Sequence, residues 1–317
     1  MKKDLDFKNF YNSVLSQELD VVEKKRFAIL VQLAITFLVV AGFFGAYAYW
    51  FVVVWQWPIL LLLYIPTFAF VLLAAYKTYD IIIKNTTFYE YFKNNVIFKT
   101  ISFIHPGLRF DKKYFISKDE FFKSGIFEEQ KVKYKGDDYV AGNIEEDVMI
   151  EFSELNIRYA DAQVVKAKKT EFLFRGIFYK ARLPFIFPIN FVIEPLSPEE
   201  GQANQARFVT GHAEFDAAFQ VRILKKGSDY NPSVFLTDEF LEGIVQFAAK
   251  YHDEVRISFV DSHIYAAIHH DKELFEPQVF TGNKKFDFIY MHYQDLSFPI
   301  HLIQNITLDQ QLEELAA

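Results

Sequence analysis

The stretch KYKGDDYVAGNIEED, residues 133–147, gathers five carboxylates within eleven positions, enough to bind a cation or to form a catalytic pair. A calcium-binding EF-hand loop with Gly142 at position 6 would place Tyr139, Ala141 and Val148 at positions that need side-chain oxygen ligands. None of these three side chains carries a carboxylate. The stretch is therefore not an EF-hand loop.

A short strand over residues 139–144, between two tight turns with the sequences GDD and EED, explains the stretch better. Asp138 and Glu146 are eight residues apart, which is roughly 26 Å of extended chain. Acidic groups at that distance cannot share one ion or form one catalytic pair. We expect the acidic turn at Asp137 and Asp138 to be available to a basic partner.

Three histidines, His263, His269 and His270, are close together in the sequence EVRISFVDSHIYAAIHH, which predicts a β-hairpin that turns near Asp261 and Ser262. His263 and His269 are six positions apart, so one straight strand would present both on the same face. This spacing supports a metal or acid–base hypothesis. The competing hypothesis is that these are solvent-facing strand histidines without a ligand.

Common catalytic and cofactor-binding motifs are missing from the sequence. It has no HExxH pair, no GxSxG elbow, no Walker loop and no GxGxxG. It also has no cysteine, which excludes disulfides, thiolate metal sites and cysteine nucleophiles. The sequence therefore predicts no catalytic residue and no cofactor.

Residues 27–76 contain no Asp, Glu, Lys or Arg over 50 positions. One bilayer crossing needs about 20 apolar residues, so the run predicts a transmembrane hairpin with helices near 27–49 and 58–79. Pro66 should kink the second helix. Aromatic residues of the kind that prefer the membrane interface cluster at the predicted turn: Tyr47, Tyr49, Trp50, Trp55 and Trp57. Gly42 and Gly45 would allow close packing with another helix.

Basic residues flank the hairpin at both ends. Lys24, Lys25 and Arg26 precede it and Lys77 and Lys84 follow it, whereas the turn has none. The positive-inside rule therefore places both termini in the cytoplasm. The alternative is a cleaved signal peptide ending at the AYA of residues 46–48, but its apolar segment is too long and a second one follows directly.

Charge divides the remaining chain. Residues 77–135 hold 12 basic and 7 acidic side chains, and residues 136–317 hold 16 basic and 29 acidic ones. A basic segment next to a membrane favours anionic lipid headgroups, while the acidic remainder is repelled by them. This distribution argues against nucleic-acid binding, which needs a concentrated basic face.

Hydrophobic periodicity predicts an α+β fold. We expect an amphipathic helix over 1–26, the hairpin over 27–79, and a cytoplasmic domain over 80–317 that is helical in 80–125 and built on an antiparallel sheet in 126–317. Ser117 and Glu120 form a capping-box pattern for a short helix that Gly125 ends. Strands are predicted near 148–159, 170–182, 188–195 and 215–223, a helix over 236–253 with Thr237 as its cap, and a last helix within 296–315.

Several segments occur together in order: SKDEFFKSGIF, GDDYVAGNIEEDVMIEFSEL, FLFRGIFYKA, FQVRILKKGSDYNPSVFLTDEFLEGI and ISFVDSHIYAAI. With the preceding hairpin, they resemble a family of bacterial proteins known only as a domain of unknown function, the DUF three-one-three-seven type. The resemblance covers about 88–280 and most of the hairpin. It implies a bacterial source and a membrane-tethered domain, and it supplies no activity or site residue.

These features favour a non-enzymatic binding or scaffold module at the cytoplasmic face of a bacterial inner membrane. Its partners would be the bilayer, anionic headgroups near residues 77–135, and a protein not identified by the sequence. One alternative is a membrane-bound enzyme whose polar residues converge only in the fold. Another is a structural subunit of a membrane complex.

Overall fold

The alternation of polar and apolar residues along the middle of the chain produces eight β-strands among the described residues. The computed structural model describes residues 2–50, 53, 64–84, 87–168, 170–196, 208–224, 232, 236–250, 255–270 and 275–307. The chain divides into two units. The first comprises residues 1–99 and 276–291, and the second comprises residues 100–275 and 292–317. The mixed helical and antiparallel-sheet class predicted from the sequence is confirmed.

The first unit is helical. Helix α1 (Lys2–Phe10) continues through a π-helical turn (Tyr11–Leu15) into α2 (Ser16–Tyr49), and α3 (Tyr64–Lys84) follows. Next come α4 (Thr87–Phe92), a second π-helical turn (Lys93–Ile97) and α5 (Phe98–Ile104), the last of which extends into the second unit. The apolar stripe predicted for residues 1–26 is buried, at Phe7, Tyr11, Leu15, Leu19 and Val22.

This stripe packs against protein from the far end of the sequence. The ring of Phe7 lies 6.1 Å from that of Phe286 and 5.9 Å from that of Tyr290, and Tyr11 meets Phe286 edge to face at 5.2 Å. The amphipathic helix predicted for residues 1–26 therefore buries its apolar side against the first residues of α10 (Phe286–Thr307).

The second unit contains one antiparallel sheet in the order β1-β2-β3-β4-β8-β7-β5-β6. The strands are β1 (Arg109–Asp111), β2 (Val132–Asn143), β3 (Met149–Tyr159), β4 (Phe172–Arg182), β5 (Phe191–Pro195), β6 (Phe219–Ile223), β7 (Val255–Val260) and β8 (His263–His269). The helices are α6 (Lys118–Lys123), α7 (Ala162–Lys168), α8 (Ala213–Ala218), α9 (Asp238–Lys250) and α10 (Phe286–Thr307), whose first residues belong to the other unit.

Both faces of the sheet are covered. On one face α6 inserts Phe121 among Leu155, Phe174 and Phe178. On the other face the hydroxyl of Tyr179 donates to the carbonyl oxygen of Asp295 in α10, at 2.9 Å. The fully buried apolar residues of β3 are Ile150 and Phe152 and then Leu155 and Ile157. The first two face one side of the sheet and the last two face the other side.

Two predicted elements differ from the structure. Residues 215–223, expected to form one strand, are divided between α8 and β6, because the His212 side chain caps the helix by accepting from the backbone N–H of Phe215. The last helix starts at Phe286, ten residues before its predicted start, and its described part ends at Thr307. The described caps at Ser117 and Thr237 and the turn at Asp261 agree with the prediction.

Candidate functional site

Lys180 is the centre of a polar cluster on the face of the sheet that α6 covers. Its ammonium lies 2.9 Å from Oε2 of Glu120 on α6 and 3.3 Å from Oε2 of Glu151 on β3. The register of the strands brings Lys180 and Glu151 together. Lys180 on β4 is directly opposite Glu151 on β3 and Tyr265 on β8. The Ser117 cap fixes the start of α6, the helix that carries Glu120.

The cluster is held in its charged form. Burial lowers the pKa of Lys180, but the hydrogen bond that its ammonium donates to Glu120 and the charges of both carboxylates outweigh that effect, so the pKa is raised. Burial in turn raises the pKa of Glu120, and the ammonium of Lys180 more than reverses this, so the pKa is lowered. At neutral pH Lys180 is therefore a paired cation and not a free amine nucleophile.

His263 borders the same cluster from the first position of β8. Its ring stacks on Tyr265 at 5.8 Å, and its Nδ1 lies 3.3 Å from the hydroxyl oxygen of Ser262. Burial and the positive charges of Lys180 and Lys123 lower the pKa of His263. The imidazole is thus neutral at pH 7 and able to accept a proton or a hydrogen bond.

An open pocket of about 280 Å³ lies over this cluster. Lys180, Glu151 and His263 line it together with Arg182, Ser262 and Met149. Its walls carry both charge signs, with most of the Lys180 charge already balanced by carboxylates. This arrangement suits reversible binding of a small polar ligand. Sequence reasoning found only His263 of this group, because the others come from separate elements that no local spacing connects.

The predicted histidine group is spread along one strand. His263 begins β8 and His269 ends it, so the two lie roughly 20 Å apart along an extended chain. His270 follows His269, and its backbone N–H donates to the carbonyl oxygen of Arg175. One ion cannot reach both ends of this strand.

The predicted acidic turn is not a turn. Asp137 and Asp138 lie inside β2, at a shift in its register with β3. The physical reason is the backbone of Asp138, whose φ of 54° allows an extra residue to bulge within the strand. Asp138 is consequently 1% exposed and not on a loop tip.

The bulge brings a third carboxylate to the pair. Glu154 is the cross-strand partner of Asp137, and oxygens of Asp137, Asp138 and Glu154 lie within 4.8 Å of one another. Carboxylate oxygens are the ligands that Ca²⁺ and Mg²⁺ prefer. Glu154 could not be found from sequence, because the register that pairs it with Asp137 depends on the bulge.

Large aromatic side chains are exposed at the end of α2. Tyr49 and Trp50 are more than half exposed and Tyr47 is partly buried, while Trp55 and Trp57 lie outside the described residues. Among the described residues, one helix, Leu5–Tyr49, is long and apolar enough to cross a membrane. The basic residues of 77–135 are distributed over α3, the second π-helical turn, α5, α6, the first two strands and the loops between them.

Comparison with known proteins identifies a family and no activity. No curated protein and no solved structure matches the chain. A family model described as "Protein of unknown function (DUF3137)" matches residues 172–308, from the start of β4 to one residue past the described end of α10. The matched range contains His263 and Lys180 but neither Glu120 nor the long apolar helix α2. The match confirms, over residues 172–308, the family resemblance predicted from the ordered segments.

Proposed function

We propose that this protein is a membrane-tethered module that uses its sheet domain to bind a partner. The observation that carries the proposal is the surface of α2. Large apolar side chains on all sides of residues 27–49 are more than half exposed, including Phe27, Phe37, Leu38, Val39 and Phe43. Only 6% of the most apolar window of this helix is buried. Apolar surface of this extent requires a covering, and a lipid bilayer supplies it.

A second crossing completes the proposed tether. Helix α3 has 21 residues, and its Phe68, Phe70, Leu72 and Leu73 are also about half or more exposed. Phe44, near the end of α2, meets Phe68, near the start of α3, with 5.2 Å between ring centroids. A late residue of one helix beside an early residue of the next supports an antiparallel hairpin.

Orientation and location follow from charge and family. Basic residues on both sides of the hairpin and none in its turn support two cytoplasmic termini and a multi-pass topology. The bacterial character of the resembling family supports an inner, cytoplasmic membrane. The basic segment 77–135 would then favour anionic headgroups, and the acidic remainder a protein partner with basic side chains.

The absence of cysteine makes this topology directly testable. Single cysteines are introduced at Lys8, Tyr49 and Lys166, whose side chains are all exposed in the structure. Spheroplasts that contain each variant are then treated with a membrane-impermeant maleimide. We expect labelling at position 49 in intact spheroplasts, and at positions 8 and 166 only after lysis. Release of the protein from membranes by alkaline carbonate, or equal labelling at all three sites, would contradict the proposal.

The Lys180 pocket favours a second candidate function, an enzyme or small-ligand binding site. It gathers side chains from α6, β3, β4 and β8, and its neutral His263 can accept a proton. A screen of small polar metabolites by thermal shift, with Lys180→Met as the matched control, tests this. Ligands that stabilise the wild-type chain and not the variant would establish the pocket as a site.

A further inference from the structure

The loop formed by residues 278–283 presents an apolar tip. Phe280 is 66% exposed although it belongs to a tightly closed loop. The Asn283 side chain closes that loop by donating to the carbonyl oxygen of Gln278 at 2.8 Å and accepting from its backbone N–H at 2.7 Å. The closed loop therefore holds this phenylalanine at an exposed position.

The loop is fastened to the N-terminal helix by polar contacts. The backbone N–H of Asn283 donates to Glu23 at 2.6 Å, and the ammonium of Lys284 pairs with Asp20 at 2.6 Å. The hydroxyl of Tyr11 donates to the carbonyl oxygen of Lys284 at 2.5 Å. Because the partners Tyr11, Asp20 and Glu23 lie at three different heights along the N-terminal helix, they fix the position of the loop along that helix.

Two contacts place the tip at both borders of the charge-free run. Arg26, the last charged residue before the run, donates to the carbonyl oxygen of Val279 at 3.4 Å. The ring of Phe280 stacks on Tyr79, three residues beyond the end of the run, with 6.0 Å between centroids and 13° between planes. The exposed rings of Phe27 and Tyr76 begin and end the run itself.

We propose that this tip is a third membrane contact, in which Phe280 inserts into the headgroup region of the bilayer that α2 crosses. The inference rests on the proposed membrane insertion of α2. Aromatic rings favour the interface between headgroups and acyl chains, and the borders of the apolar run mark that level. The tip would hold residues 276–291 against the membrane surface, although these residues lie far along the chain from α2.

Depth-dependent quenching tests the proposal with the full chain in lipid nanodiscs. A fluorophore is attached to a single cysteine at Thr281, Val39 or Lys8, and two sets of discs carry lipids spin-labelled either near the headgroup or near the end of the acyl chain. Thr281 is exposed beside the tip, Val39 lies within the membrane run, and Lys8 is 18 helical residues or roughly 27 Å before Arg26. We expect the headgroup label to quench position 281, the acyl-chain label to quench position 39, and neither label to quench position 8.

Adding Phe280→Ser to the Thr281→Cys chain should abolish quenching at 281 and leave that at 39 intact. If position 39 is quenched and 281 behaves like position 8, the tip does not touch lipid and this inference is wrong while the tether stands. If neither position is quenched, the membrane insertion of α2 fails and this inference fails with it.

Discussion

His263 should make the sheet domain sensitive to mild acid. Its folded-state pKa lies below the ordinary value of 6.5, because burial and the nearby charges of Lys180, Lys123 and Arg182 disfavour the imidazolium, against a smaller effect of Glu120. A lowered histidine pKa gives stability that is complete above pH 6.5 and is lost as the pH falls through the folded-state value. His263→Gln should therefore lose less stability than the wild type just below pH 6.5.

Urea unfolding followed by circular dichroism measures this. Circular dichroism is preferred to tryptophan fluorescence, since the three tryptophans, at 50, 55 and 57, all lie far from His263 in the sequence. Glu120 provides an internal comparison. Its pKa is lowered from 4.5, so its contribution disappears only at more acidic pH. Identical pH profiles for the wild type and His263→Gln above pH 4.5 would show that the histidine has no such role.

Gly176 on β4 should tolerate no side chain. Its φ of 146° lies in the region reserved for glycine, and a Cβ there would collide with the carbonyl oxygen of Ile268 and lie 2.9 Å from the backbone nitrogen of His270. Because backbone atoms of the paired strand cannot move aside, Gly176→Ala should lower the free energy of unfolding by at least about 3 kcal/mol.

The matched control is Gly243→Ala on the exposed side of α9, where a Cβ meets nothing within 4 Å. That change should raise the free energy of unfolding by about 0.5–1 kcal/mol, since alanine costs less entropy in a helix. Both values come from the same denaturation experiment. Equal effects of the two changes would contradict the packing argument.

At the scale of elements, the bulge in β2 depends on one residue. Asp138 adopts a positive φ while fully buried, a conformation that asparagine accepts and a β-branched residue does not. Asp138→Asn also removes one charge from three carboxylates within 4.8 Å. We therefore expect Asp138→Val to destabilise the domain by about 2 kcal/mol or more and Asp138→Asn to be clearly better tolerated. Thermal unfolding of both variants ranks them, and a more stable Val variant would rule out the bulge as the constraint.

Elements with strong local signals could be predicted from the sequence, and those set by distant contacts could not. Thr237 followed by acidic residues identifies α9, and the alternation in 255–269 identifies the β7–β8 hairpin. By contrast, residues 215–218 alternate like a strand, yet Asp216 accepts from the backbone of Thr210 and Gly211 and fixes α8. The Lys180 cluster depends on the register of β3, β4 and β8, which no local pattern encodes.

At the scale of the whole molecule, the family match and the units have different borders. The match at 172–308 covers five of the eight strands of the sheet and includes residues 276–291, which belong to the first, helical unit. It excludes β1, β2, β3 and α6, and with them the acidic bulge and both carboxylates around Lys180. We therefore expect features of the family as a whole to be found in β4 to α10, including the tip at Phe280.

The charge division of the chain gives a last prediction, which rests on the membrane tether. Lys133 and Lys135 are exposed on one face of β2 in the basic segment, while Lys166 and Lys168 are exposed on α7 in the acidic remainder. A basic side chain near an anionic leaflet contributes about 1 kcal/mol, so Lys133→Glu with Lys135→Glu should remove about 2 kcal/mol of attraction or more. Lys166→Glu with Lys168→Glu changes the net charge equally and is the matched control.

Energy transfer from a fluorophore on Tyr114→Cys, an exposed position, to acceptor lipids reports the approach of the domain to the membrane. Transfer should rise when neutral lipid is replaced by anionic lipid, fall again in high salt, and lose this response only in the 133/135 variant. The same loss in the 166/168 variant would mean that net charge, and not the basic segment, sets the response.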